Sequence, residues 1–297
     1  MILLTGASGF IGKHLLAKLI QVYGKDHILA LTSAPVTEAH YLLHNGYNFE
    51  ADYFIQSGYG TQIHTIIHAG AFIPKSGKHA NDWEPCNSSI YSTGKLLSAD
   101  LPNLQKIVYI STVDVYGASE LIDEKTPEHP MSLYGASKLY VEKMLTNWAY
   151  AETKTLQILR VGHVYGPGEE EYQKIIPITI KKLLQNKPLQ IWGKGNELRS
   201  FIYIDDLISA ILKATSAERE LGIVNLAGSQ KITIADLVKK LIAISGKETK
   251  VEMVPIDVPG RNLVFNNSKM RAVLLTQEIS LEVGLMQEWA YMKKLLE

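Results

Sequence analysis

Three groups of residues in this chain are of a type and spacing that could do chemistry. Tyr134 and Lys138 stand four apart in Tyr134-Gly-Ala-Ser-Lys138, so on a helix they share a face and the ammonium can lie beside the phenol. A phenol titrates near 10, and a cation within about 4–6 Å favours its ionised form. Tyr134 is therefore a candidate acid/base and Lys138 its activator. The same spacing recurs at Tyr91/Lys95 and Tyr150/Lys154, but only Tyr134 opens a helix and follows a strand that ends in hydroxyls, Ser111-Thr112. The third group is amino-terminal. Gly6, Gly9 and Gly12 lie between an apolar run and an amphipathic stretch, with Ser8, Phe10 and Ile11 among them. A strand that turns on glycines into a helix points free N–H groups and the positive end of the helix dipole at one spot, which suits a pyrophosphate. Gly6 can make the tight turn, Gly9 lets a ligand approach the backbone, and Gly12 lets the helix pack close to the strand. The spacing is G-x-x-G-x-x-G, not G-x-G-x-x-G.

The elements that must position these residues follow from hydrophobic periodicity. The pattern predicts a helix over 11–23 and strands over 27–32, 48–52 and 63–71, the last ending in the small residues Ala69 and Ala71. A helix over 83–100, a strongly apolar strand over 106–111 and a loop over 117–131 follow. A helix then runs from an N-cap at Ser132 to about 150, and a sixth strand covers 156–161. This alternation predicts an α/β fold, a Rossmann-type doubly wound parallel sheet. Beyond Tyr165-Gly-Pro-Gly168 the order is mixed: helices over 173–186, 233–245, 268–275 and 282–296, the stretch Pro188-Leu-Gln-Ile-Trp-Gly193, a strand from Arg199 that feeds a helix to 214, and a buried strand over 223–226. The expected division is a dinucleotide-binding domain of 1–165 with a return segment at about 200–228. Residues 166–199 and 229–297 would form a smaller mixed α/β substrate-binding lobe. An acidic residue at the end of the second strand would bind the ribose 2′-OH of NAD; Thr32 and Ser33 stand there instead and tilt the reading toward NADP. Asp52 is a candidate for the adenine edge.

The 297 residues carry 30 basic and 30 acidic side chains, so no global charge recruits nucleic acid or an anionic membrane. The apolar stretches are strand-sized and the first twelve residues do not read as a signal peptide, which makes a cytoplasmic protein the expectation. One cysteine, Cys86, excludes an intrachain disulfide and a cysteine metal cluster, and the nine histidines show no metal-binding spacing. No metal is expected.

Taken together, Gly6-x-x-Gly9-x-x-Gly12, Ile110-Ser-Thr-Val-Asp-Val-Tyr-Gly117, Tyr134-x-x-x-Lys138, Leu159-Arg160, Tyr165-Gly-Pro-Gly168 and Arg199-x-Phe-x-Tyr-x-Asp-Asp206 resemble the extended short-chain dehydrogenase/reductases. Within these the chain is similar to the NAD(P)-dependent nucleotide-sugar epimerase/dehydratase group, over nearly its whole length. The resemblance implies Tyr134 as catalytic base, Lys138 as the residue that lowers its pKa and holds the nicotinamide ribose, and Thr112 as the hydroxyl that hydrogen-bonds the reacting sugar oxygen. It implies Arg199 and Arg261 as ligands of the substrate diphosphate, a use that suits the arginine fork. His163 stands where many relatives have an Asn near that phosphate. Dehydratases of the group place an Asp-Glu or Ser-Glu pair directly after the Thr; Val113 and Asp114 stand here, which argues against a 4,6-dehydratase. The leading expectation is a nucleotide-sugar 4-epimerase that oxidises and re-reduces its substrate through a ketosugar. The alternative is an NADPH-dependent nucleotide 4-ketosugar reductase, and from another class a non-catalytic nucleotide-binding regulator. Apolar surface on the helices over 83–100 and 132–150 suggests a homodimer.

Overall fold

In a computed structural model, which describes residues 1–257 and 260–296, the chain forms two compact units and crosses between them several times. The first holds residues 1–116, 128–161 and 208–224; the second holds 117–127, 162–207 and 225–297. Residues 200–207, grouped with the first domain in the sequence reading, lie in the second unit.

The first unit is built on the predicted alternation. Its strands are β1 (Ile2–Thr5), β2 (Ile28–Thr32), β3 (His40–Leu43), β4 (Thr65–His68), β5 (Lys106–Thr112) and β6 (Thr155–Val161), with helices α1 (Phe10–Tyr23), α2 (Tyr53–Gln56), α3 (Trp83–Leu97) and α4 (Leu133–Ala151) between them. A later strand, β10 (Gly222–Leu226), completes a seven-stranded sheet of order β10-β6-β5-β4-β1-β2-β3. The β1–β2, β1–β4, β4–β5 and β5–β6 pairs are parallel. All seven residues of β5 are buried, as a strand covered on both faces requires. Ser132 is the α4 N-cap, its hydroxyl accepting from the Gly135 N–H at 3.1 Å, a cap worth about 1 kcal/mol.

One expected strand is absent. Residues 48–52 form a turn into α2, and the third strand is His40–Leu43, paired parallel to β2 from His40↔Leu29 to Leu43↔Thr32. Gly46 and Tyr47 turn the chain through the left-handed region (φ 60° and 59°), and Phe49 and Phe54 then anchor the segment in the apolar core. The true strand escaped detection because it is a four-residue edge strand, mostly exposed, too short for its Tyr-Leu-Leu run to stand out. Only residues 33–39 link β2 to β3, where a parallel connection ordinarily takes a dozen or more and a helix.

The second unit contains β7 (His163–Tyr165), α5 (Ile175–Leu184), β8 (Leu189–Trp192), β9 (Leu198–Tyr203), β11 (Lys231–Thr233), α7 (Ile234–Ser245), β12 (Val251–Val254), α8 (Ser268–Val273) and α9 (Leu281–Leu296). α6 (Ile204–Ser216) begins in it and continues into the first unit. Its sheets are small, β11-β9-β7 and β12-β8, and α5, α7 and α9 pack on one another. The short strands β7, β11 and β12 were not anticipated. Among the described residues no helix is long and apolar enough to cross a membrane.

Candidate active site

The glycine turn closes tightly in the first unit. Gly6 has φ 72°, and a Cβ on it would come 2.7 Å from the Gly70 backbone. A Cβ on Gly12 would collide with the Gly6 carbonyl oxygen. Both positions therefore demand glycine, and the exposed Gly9 opens the 14-residue helix α1 without a side-chain cap. Ser8, Phe10 and Ile11 share this turn, and Ala69 and Ala71 follow β4 beside Gly70, all partly exposed. A helix N-terminus left open on a glycine fits a dinucleotide pyrophosphate.

Beneath the Gly6–Gly70 crossing lies a directed hydrogen-bond chain. The Gly70 N–H donates to Thr5 Oγ1 at 2.8 Å, and Thr93 Oγ1 donates to the Ser89 carbonyl at 2.8 Å. His68 stands between these two hydroxyls, Nδ1 at 2.8 Å from Thr5 and Nε2 at 2.9 Å from Thr93. Because the Thr93 proton is already used, Nε2 must donate to Thr93 and Nδ1 must accept from Thr5. Burial, then the positive charge of Lys138, pushes His68 down to about 3, so the ring is neutral as that pattern requires.

Thr112, Tyr134 and Lys138 are all buried, Thr112 at the end of β5 and the other two on one face of α4. Lys138 Nζ donates to the Ile110 carbonyl at 2.8 Å and lies 5.0 Å over the Tyr109 ring. Burial pushes the Lys138 ammonium down to about 8, and the negative charge of Glu142 pushes back up. The Tyr134 ring meets Phe72 edge-on, with 6.5 Å between centroids. The Thr112 hydroxyl accepts from the Asp114 N–H at 3.2 Å. Val113 is buried and Asp114 half-buried.

The residues expected to read the adenosine end are not alike. Thr32 is buried and its hydroxyl is spent on the chain itself, donating to the Ala34 carbonyl at 3.0 Å and accepting from the Ala34 N–H at 3.3 Å. Ser33 is exposed. Asp52 is exposed and accepts from Gln56 Nε2 at 2.6 Å.

Sequence reasoning missed a buried cluster behind α4. Arg160, 0 % exposed, forks Glu142: Nε donates to its two carboxylate oxygens at 3.0 and 3.2 Å and Nη2 to Oε2 at 2.6 Å. Nη2 also donates to Glu128 at 2.8 Å, the guanidinium lies 4.8 Å over the Tyr116 ring, and the Ser111 hydroxyl donates to Glu142. One signal was available: Glu142 continues the four-residue spacing of Tyr134 and Lys138.

The second unit gathers like charges. His163 on β7 is partly exposed, and Arg199 on β9 and Arg261 are half-buried. Loss of water, then the positive charges of Arg199, Lys174 and Arg261, pushes His163 down to about 3, so it is neutral. Burial lowers Arg199 most, with Arg261 adding to it and Glu197 opposing, while Arg199 Nη1 donates to the Arg261 carbonyl at 2.5 Å. Lys174 Nζ donates to the Val164 carbonyl at 3.1 Å and to Glu169 at 3.0 Å. Lys174 was not among the expected residues. Among the described residues no group of three or more His, Cys, Asp or Glu could hold a metal ion.

Known proteins share this architecture. The chain is 29 % identical to an uncharacterized UDP-glucose epimerase, YtcB, of Bacillus subtilis, over all of this chain and 99 % of that one. It is 27 % identical to a dTDP-D-glucose 4,6-dehydratase of Dictyostelium discoideum over 82 % of this chain, which spans 62 % of that relative. The crystal structure of a UDP-glucuronic acid 4-epimerase from Bacillus cereus in complex with NAD superposes with a TM-score of 0.86 at 28 % identity, over 100 % of this chain and 99 % of that one. Residues 2–227 match the family described as NAD dependent epimerase/dehydratase. With that match spanning its seven-stranded sheet, its glycine turn and its Tyr134–Lys138 pair, the chain belongs to the NAD-dependent epimerase/dehydratase family and is an enzyme of that family.

Proposed function

We propose that the protein is a nucleotide-sugar epimerase of the 4-epimerase type, working with NAD or NADP. The carrying observation is the buried Thr112, Tyr134 and Lys138 group in the unit that holds the glycine turn. Gly6, Ser8, Gly9, Phe10, Ile11 and Gly12 would hold the pyrophosphate, and Ala69, Ala71, Tyr134 and Lys138 the nicotinamide end. The dinucleotide, when bound, supplies and accepts the hydride.

Within this reading the Tyr134 hydroxyl oxygen takes the proton from the sugar hydroxyl and later returns it. Lys138 keeps a positive charge nearby that favours the ionised phenol. Thr112 orients the reacting oxygen, and Arg199 and Arg261 fork the oxygens of the diphosphate, with neutral His163 beside them to donate or accept a hydrogen bond. UDP-sugars are the substrates to try first, because the Bacillus subtilis and Bacillus cereus relatives are described as acting on UDP-glucose and UDP-glucuronic acid. Tyr134→Phe is expected to bind cofactor normally and to lose turnover by a factor on the order of 10² to 10⁴. Steady-state kinetics beside a cofactor titration checks this, and an unchanged rate removes Tyr134 from the chemistry.

A ketosugar reductase is the second reading. The exposed Ser33, with no carboxylate at the end of β2, favours a 2′-phosphate and hence NADPH, although the engaged Thr32 hydroxyl leaves Ser33 and Asp52 as the remaining readers. Product analysis separates the two: an epimerase consumes no net cofactor, a reductase consumes it mole for mole. The buried Val113 weighs against a 4,6-dehydratase, which needs a proton-transferring acid at that place. The enzyme is further read as a cytoplasmic homodimer joined through α3 and α4, where Trp83, Tyr91, Tyr140 and Tyr150 are exposed. Light scattering of the purified protein tests the stoichiometry.

A further inference from the structure

Tyr134, Lys138 and Glu142 follow one another at four-residue steps, so a carboxylate stands on the same helix face as the candidate acid/base. At 1.5 Å per residue the carboxylate lies about 12 Å along the axis from Tyr134. In a protein interior of effective dielectric about 20, a full charge at that distance moves a titration by about 1 pH unit. A bare Glu142 would oppose ionisation of the phenol and compete for the Lys138 ammonium. Lys138 Nζ instead donates to the Ile110 carbonyl, and the oxygens of Glu142 are taken by Ser111 and the Arg160 fork.

Stability alone does not account for this ion pair. Packed apolar side chains in place of a buried pair are often as stable or more so, because two desolvated charges cost about what they return. Elements packed against α4 carry charges: Asp114 in the turn over 113–115, and on α3 Glu84 in the first turn and Lys95 in the last, the latter donating to the Phe49 carbonyl at 3.2 Å. On β4 His68 is neutral, and on β5 Tyr109 is raised well above its ordinary value by burial and by the negative charges of Tyr134 and Glu142. Glu128, just ahead of α4, is held below the usual carboxylate range by Arg160 and also bonds Lys143. On β6 the facing charge is Arg160, and it is the cation that meets Glu142 directly.

We propose that Arg160 is a positioning residue for the reaction: by forking Glu142 it offsets the charge of the one acidic side chain of α4, leaving Lys138 to act on the Tyr134 hydroxyl. This rests on the reading of Tyr134 as the acid/base. The residue acts through Glu142 and touches no substrate.

The test titrates the tyrosine directly in the full-length, cofactor-free protein by NMR with 13Cζ-labelled tyrosine, the Tyr134 signal being the one missing from Tyr134→Phe. Glu142→Gln leaves Arg160 paired only with the more exposed Glu128 and is expected to lower the Tyr134 midpoint by about 0.5–1 pH unit. Arg160→Met leaves Glu142 bare and is expected to raise it by a similar amount. The double variant is expected to return within about 0.3 unit of the wild type. Should Arg160→Met fail to fold, Glu142→Gln carries the test alone. A midpoint that does not move in Glu142→Gln, or one that stays displaced in the double variant, overturns the proposal, since a merely structural brace would leave it in place. The two readings fail separately: an active Tyr134→Phe removes the acid/base assignment, whereas an inactive one with unmoved midpoints removes only the role of Arg160.

Discussion

Two buried glutamates, one in each unit, live under opposite rules. Glu142 in the first is 2 % exposed and its oxygens receive Ser111 and the Arg160 fork. Glu288 on α9 is 0 % exposed, and among the described residues neither of its oxygens has a hydrogen-bond partner. Burial, then the negative charges of Glu169 and Glu170, pushes Glu288 up to about 8 against the opposing Lys174. Tyr165, Tyr203 and Tyr291 also feel its charge. Glu142 is buried as part of an ion pair and Glu288 as a neutral acid. Burial by itself therefore does not decide the charge of a carboxyl group; the partner placed against it does.

The contrast breaks most strongly at Arg160. Arg160→Met strands the Glu142 carboxylate and is expected to cost about 3–5 kcal/mol, read by denaturant unfolding, with much of the loss recovered in Glu142→Gln/Arg160→Met. A loss under about 1 kcal/mol would mean that Glu142 is carried neutral, like Glu288.

The next effect has the opposite sign and depends on pH. Because the folded Glu288 holds a proton that the unfolded chain releases above about 4.5, stability falls as pH rises from there to about 8 and levels off beyond it. Asp206, raised to about 6 chiefly by burial, pulls in the same direction between about 4 and 6. Glu288→Gln removes the larger effect: little change at pH 5, and a gain of about 2–4 kcal/mol at pH 8.5. Thermal melts of both proteins across pH 5–9 check it, and parallel curves would show that Glu288 is ionised in the fold.

The smallest effect sharpens the comparison. Glu128 bonds the same guanidinium, but its side chain is 29 % exposed, so water screens it. Glu128→Gln is expected to cost no more than about 1 kcal/mol. A cost matching that of Arg160→Met would make the cluster an indivisible three-residue unit.

What could be read ahead of the structure was local. The Ser132 cap, the Tyr134–Lys138 spacing and the glycines at 6, 9 and 12 are short-range patterns whose geometry follows from helix periodicity and steric freedom. The strands β1, β2 and β5 announced themselves by apolar runs, as strands covered on both faces tend to. The exposed four-residue β3 and the three-residue β7 and β11 are too short to stand out by pattern, and a segment anchored by Phe49 was mistaken for a strand. Thr32 illustrates the same limit at the site, since its residue type suggested an open reader while its hydroxyl is bound to Ala34.

By itself the sequence determined the alternating α/β order and the helix face that Tyr134 and Lys138 share, because each depends on residues a turn or a strand apart, and it carried the family in motifs spread from Gly6 to Asp206. Only the tertiary structure decided that Arg160 would meet Glu142 and that, among the described residues, no hydrogen-bond donor would meet Glu288. Both outcomes depend on side chains brought together from distant parts of the chain, Arg160 on β6 against α4, and α9 against the segment after β7. Electrostatic energy depends on distance through the fold and on the exclusion of water, and neither quantity is written in the spacing of residues along the chain.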